Sequence, residues 1–184
     1  MRFLSRLRNV VLSLTALPLA AASAAEPPSA PSLGPELREQ FLVTSAADAG
    51  ISPSARFPSV YGVSMDFFVD ENVATVIALS DGSASVYTTS SFGIIGGIGH
   101  AAVRKAARRF VTVAARYADA AVPISTHPYP AAGKVRFYFL TYDGLRSVET
   151  DAEPIVEGDS SPFIPLYGAG QDVLTELLRT RPKE

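Results

Sequence analysis

The sequence predicts an α+β fold: a five-stranded antiparallel sheet, in the order βββ-α-ββ-α, with helices packed on it. Three observations lead there. From residue 61 to 90 two alternating runs flank one that is mostly apolar, and the breaks between runs hold only a few turn residues, too few for the crossover that a parallel pair needs. From 100 to 118 the period lengthens to that of a helix with one apolar side. A second alternating pair follows from 134 to 150. The chain has 184 residues, 47% hydrophobic and 18% charged, which suits one core and excludes disorder throughout.

Residues 1–25 read as an address rather than as fold. Arg2, Arg6 and Arg8 stand before any acid, and an apolar run follows from Val10 to Ala22, broken only by Ser13, Thr15 and Pro18. It is shorter than the ~20 residues of a bilayer span. Ala22-Ser23-Ala24 fits the small-x-small cleavage pattern. The expectation is a cleaved signal peptide over 1–25 and an extracytoplasmic protein, periplasmic or secreted. Arg6 and Arg8 are not adjacent, so no twin-arginine signal is present. The remaining chain holds 13 bases against 18 acids, a net charge of −5, which speaks against generic nucleic-acid binding. No later stretch is long enough to span a membrane. The absence of Cys rules out a disulfide scaffold, thiolate metal sites and a Cys nucleophile.

Residues 26–58 form a leader and one short helix. Pro27, Pro28, Pro31 and Pro35 keep the leader extended, and a helix over 36–44 turns Leu37, Phe41 and Leu42 inward. Residues 59–181 then form a single α+β domain. Its first strand sets Tyr61, Val63, Met65, Phe67 and Val69 on the core side, with Gly62, Ser64, Asp66, Phe68 and Asp70 on the wet side. Residues 73–80 are β-branched and apolar, a strand covered on both faces. Asp81-Gly82 signals a type I′ hairpin. The third strand, 83–90, separates Ala84, Val86 and Thr88 from Ser85, Tyr87 and Thr89.

A glycine-rich link over 92–99 leads to the helix 100–118. Ala102, Val103, Ala106, Ala107, Phe110, Val111, Val113, Ala114, Tyr117 and Ala118 lie on its apolar side, and Arg104, Lys105, Arg108, Arg109, Thr112 and Arg116 lie opposite. Pro123 stops it. In the strand 134–142, Val135, Phe137 and Phe139 oppose Arg136, Tyr138 and Leu140, and the side carrying Tyr138 and Tyr142 reads as covered. Asp143-Gly144 turns the chain into the strand 145–150. An acidic loop covers 151–161. The last helix occupies part of 162–179, secure from Gly170 onward because Gly168 and Gly170 weaken its first half. Leu166, Val173, Leu174, Leu177 and Leu178 form its apolar stripe.

This β-β-β-α-β-β-α order, over residues 60–179, resembles the longin and profilin-like group of folds. The resemblance lies in element order, and it implies a binding or assembly module.

The loop 93–99 is the first place for chemistry. Its glycines let backbone N–H groups approach a ligand, and a helix start favours anions. His100, Arg104, Lys105 and Arg108 follow where a helix normally prefers acids. The ligand-binding candidates are therefore Gly96, Gly97, Gly99, His100, Arg104, Lys105 and Arg108, for a small anion. The competing reading is a bend with close backbone packing. Residues 97–102 match a loose dinucleotide pattern, but hairpins rather than a βαβ unit surround them. The basic side of the helix has three possible roles: solvated surface, partner of the acidic stretch Glu149, Asp151, Glu153, Glu157 and Asp159, or contact for an acidic protein or lipid head groups.

Catalytic motifs are missing. There is no G-x-S-x-G; His100 reads as a helix-start residue and His127 as a loop residue before Pro128. Asp66 and Asp70 share a strand face as a possible carboxylate pair, but read as its wet side. No metal or cofactor pattern is present, and none is expected. The function expected is a small exported binding module for a protein partner or a second copy. The alternative is an anion- or small-ligand-binding protein, an enzyme included, that uses the loop 93–99 and the basic helix.

Overall fold

A computed structural model describes residues 33–90, 92–158 and 160–181. The expected signal peptide, 1–25, and most of the proline-rich leader lie outside the described residues. Four helices and seven strands are seen among those described: α1 (Leu33–Val43), β1 (Val60–Val69), β2 (Asn72–Leu79), β3 (Ala84–Thr88), β4 (Gly93–Ile94), α2 (Ala101–Ala114), β5 (Val122–Pro123), β6 (Lys134–Thr141), β7 (Gly144–Asp151), α3 (Glu153–Val156) and α4 (Ile164–Leu178). The strands form one antiparallel sheet in the order β4-β3-β2-β1-β6-β7-β5.

The α+β architecture is as the periodicity predicts, but the sheet has seven strands, not five. The two additions are its edges. β4 comes from the glycine-rich link and β5 from the stretch after α2, and each is two residues long. Two residues carry no period. They become strands only because β3 and β7 offer unpaired backbone beside them.

The middle strand, β1, corrects a second expectation. It is buried on both faces through Phe67, not half-buried. β2 covers one flank and β6 the other. Val60 pairs with Thr141 and Gly62 with Leu140, so Tyr61 is the extra residue of a bulge. The bulge inverts the alternation. Val60, Val63, Met65 and Phe67 face one core, while Tyr61 faces the other. The simple period had placed Tyr61 with Val63.

The first core lies between the sheet and the pair α2–α4. Val103, Ala107, Phe110, Val111 and Ala114 of α2 and Leu166, Val173 and Leu177 of α4 are fully buried there. α4 begins at Ile164 and runs through both glycines, earlier than propensity suggests. Gly170 explains why: a Cβ there would stand 2.7 Å from Met65 Cε and 3.2 Å from Phe110 Cζ. The residue that weakens the isolated helix lets it seat between α2 and β1, and tertiary packing outweighs propensity. Leu178, assigned to the stripe, is exposed.

The second core lies under α1, whose Phe41 and Leu42 pack with Tyr61, Ile77, Tyr87, Tyr138 and Leu140. The turns also differ in detail from expectation. Between β2 and β3 only Gly82 has positive φ, +102°. Leu79 N–H donates to Ser83 O, and Gly82 N–H to Leu79 O. This is a three-residue link with glycine in the left-handed position, not a type I′ turn. Asp70, in the link between β1 and β2, stands at φ +53°.

Candidate functional site

The glycine loop and the basic side of α2 meet as neighbours, but the glycines do different work. Gly97 is buried, and a Cβ on it would lie 2.6 Å from Val103 Cγ1, 2.7 Å from Leu177 Cδ2 and 3.0 Å from Ala84 O. It lets the loop bend tightly against α2, α4 and β3, as the packing alternative requires. Gly96 stands at φ +86°, a backbone position that favours glycine. A Cβ on Gly96 or Gly99 would meet nothing within 4 Å, so these two border open space. His100 is the exposed residue before α2; its backbone N–H donates to Gly97 O, and its side chain forms no capping bond.

The bases divide. Arg104 Nη1 donates to Ile98 O at 2.7 Å, and Arg108 Nη2 donates to Asp81 O at 2.6 Å. Both thus brace a neighbouring turn while keeping their charge. Lys105 is exposed and lines a cleft of about 450 Å³ between α2 and α4 with Arg109, Asp172, Glu176 and Arg179. Arg109 pairs with Asp172 at 2.6 Å, both well exposed. The described residues of the acidic stretch do not supply these partners. Glu149 pairs with Arg136 and Asp151 with Lys134, across the β6–β7 hairpin.

A polar cluster that the sequence reading missed lies under α1. Asp66, expected on a wet strand face, is fully buried. Arg38 of α1, 3% exposed, donates to its Oδ2 from Nε at 2.9 Å and from Nη2 at 2.6 Å. The same guanidinium donates to the carbonyls of His127 and Pro128 and lies 4.2 Å from the centre of the Tyr129 ring. Tyr138 donates its hydroxyl to Pro128 O at 2.6 Å, and His127 Nδ1 contacts Glu39. Burial pushes the Asp66 carboxyl up from its ordinary range, and the adjacent Arg38 charge pulls it back down. Burial likewise raises the Tyr129 and Tyr138 hydroxyls. One group thus ties α1 and the segment 127–129 to the centre of the sheet. Ser64 Oγ and Arg136 Nε are buried beside it without a hydrogen-bond partner. The Asp66–Asp70 carboxylate pair does not form a site, because Asp66 is sealed by Arg38 and Asp70 lies in the exposed turn. One signal for this cluster was present. β2 read as covered on both faces, and a covered strand needs covered neighbours.

A third feature is a cleft of about 400 Å³ between the end of α1, the segment 44–47 and the β6–β7 turn. The rings of Tyr61 and Tyr142 stand 5.4 Å apart there. Tyr61 donates to Thr44 O at 2.8 Å, and the Tyr142 hydroxyl has no partner. Burial raises both phenols, so they are neutral at ordinary pH and supply no base.

Among the described residues, no group of three or more His, Asp or Glu is placed to hold a metal ion, and no helix is long and apolar enough to cross a membrane. Compared with protein-family models, curated proteins and solved structures, the chain matches none of them.

Proposed function

We propose that this chain is a small exported domain that works by binding an acidic partner through the basic side of α2, rather than by catalysis. The observation that carries this reading is the unbalanced charge of that side. No Asp or Glu stands between Asp81 and Asp119, and Lys105 and Arg109 of α2, with Arg116 just beyond its end, are exposed to solvent. The element order, which resembles folds used for binding and assembly, supports the same reading. The test is retention of envelope components on the immobilised full chain at low and raised salt. Binding that falls with salt and drops in the double variant Lys105→Glu/Arg109→Glu supports it. Equal retention by both proteins, or none at low salt, overturns it. Light scattering decides whether a second copy is the partner.

A small-anion reading of the loop has one observation in its favour. The open space at Gly96 and Gly99 adjoins a helix start that no side chain caps. It predicts a rise in Tm with inorganic phosphate that Arg104→Ala/Lys105→Ala abolishes.

A further inference from the structure

We propose that the loop 93–99 and the basic residues around it form a docking surface for a membrane carrying anionic phospholipids. This rests on the binding role given to α2 above and names the partner's chemistry.

The loop presents two aliphatic side chains to solvent, Ile95 at 67% and Ile98 at 45% exposure. No described residue covers them, and Gly96 and Gly99 leave open space between and beside them. The tip is nevertheless held firmly at its base. Gly97 is wedged against Val103 and Leu177, and Arg104 grips Ile98 O. Basic side chains stand beside it and in the neighbouring cleft. Arg104 and Lys105 rise from the first turns of α2, Arg179 lies across the α2–α4 cleft from Lys105, and Arg181 lies 5.3 Å from the ring of Phe92 at the loop's entry. Asp172 and Glu176 offset part of this charge in the cleft, but no acid occurs on the loop or on α2.

An exposed apolar loop with bases beside it suits a fluid anionic interface. The isoleucines enter the boundary between head groups and acyl chains, and the bases meet the phosphates. A folded acidic protein would have to offer a cavity shaped to two separate protruding side chains. A lipid surface closes around them without one.

The chain contains no Cys, so Ile95→Cys labelled with an environment-sensitive fluorophore reports on the loop alone in the full-length protein. Vesicles of phosphatidylglycerol in phosphatidylcholine are expected to shift its emission to the blue and brighten it. Pure phosphatidylcholine vesicles are expected to leave it unchanged, and salt to weaken the effect. At about fivefold in affinity for each base near an anionic surface, adding Lys105→Glu/Arg109→Glu is expected to weaken vesicle binding by well over tenfold, with the folded circular-dichroism spectrum retained. The same label at Asp143, on the β6–β7 turn, is expected to stay in water.

No spectral change at position 95 with anionic vesicles overturns the proposal. So does a response that the double charge reversal leaves intact, or an equal response to inorganic phosphate alone that vesicles do not exceed. Failure here together with salt-sensitive, Lys105- and Arg109-dependent capture of a protein would leave the binding role standing and exclude only the lipid.

Discussion

On the side of the sheet facing α2 and α4, Val63, Met65, Phe137 and Phe139 are sealed against Phe110 and Leu177. On the side facing α1, the centre is held by Arg38 and Asp66, with two further polar atoms, of Ser64 and Arg136, buried beside them and left without partners. The first side gains roughly 1.5–3 kcal/mol for each large apolar side chain it buries, whatever the partner, provided the packing is good. The second recovers the cost of desolvating two charges only while both stay in place. An apolar face degrades step by step as side chains are trimmed. An ionic face fails when either partner is lost.

The sharpest way to break this contrast is to remove one partner. Asp66→Ala leaves a buried guanidinium unpaired and is expected to cost about 3–5 kcal/mol in urea unfolding. The double variant Arg38→Met/Asp66→Leu is expected to recover most of that loss. On the other face, Phe110→Ala is expected to cost a similar ~3–5 kcal/mol. No second substitution there can restore it by removing a stranded charge. If the double variant is as unstable as Asp66→Ala, the ionic face is not governed by pairing.

The glycine loop gives a smaller, local contrast. Gly97→Ala places a Cβ against Val103, Leu177 and the Ala84 carbonyl and is expected to cost about 1–3 kcal/mol. Gly99→Ala meets open space and is expected to stay within about 0.5 kcal/mol of the parent. Equal losses would mean that the loop is not wedged at Gly97. At the β1–β2 link, Asp70 holds φ +53°. Replacing it with Val is expected to cost about 1–2 kcal/mol more than replacing it with Gly.

The pH dependence of the ionic face is the finest test. Burial raises the Asp66 carboxyl above its ordinary 3.8, so the folded chain holds that proton more tightly than the unfolded chain. The resulting contribution to stability is full below the ordinary value and is lost as pH rises through the native one. Measured against Asp66→Asn, which does not titrate, the parent is therefore expected to lose relative stability as pH rises from about 4. A difference that moves the other way would mean that the pull of Arg38 outweighs burial.

Much of the first face was legible in the residues. The alternation of Val135, Phe137 and Phe139 and the apolar side of α2 identified their partners, because each such side chain needs only to leave water. The helix 36–44 and the covered side of Tyr138 were legible for the same reason. The α1 face was not, because its central residues are charged. An Asp alternating with Ser and Gly looks like a wet surface until an Arg from a distant helix is known to meet it. Of the candidate ligand residues, the sequence identified the basic side of α2 and the glycine loop as neighbours. It did not distinguish Gly97, which packs, from Gly96 and Gly99, which border open space.

The residue pattern by itself determined the fold class, the antiparallel pairing and the amphipathic helix, because periodicity and short links act locally along the chain. Tertiary structure decided the rest. Edge strands of two residues exist only where a neighbour offers unpaired backbone. The bulge at Tyr61 inverts a face only through its pairing with β6. Arg38 is buried only because Asp66 awaits it on the central strand. Each depends on contacts between residues distant in sequence, and no local period encodes them.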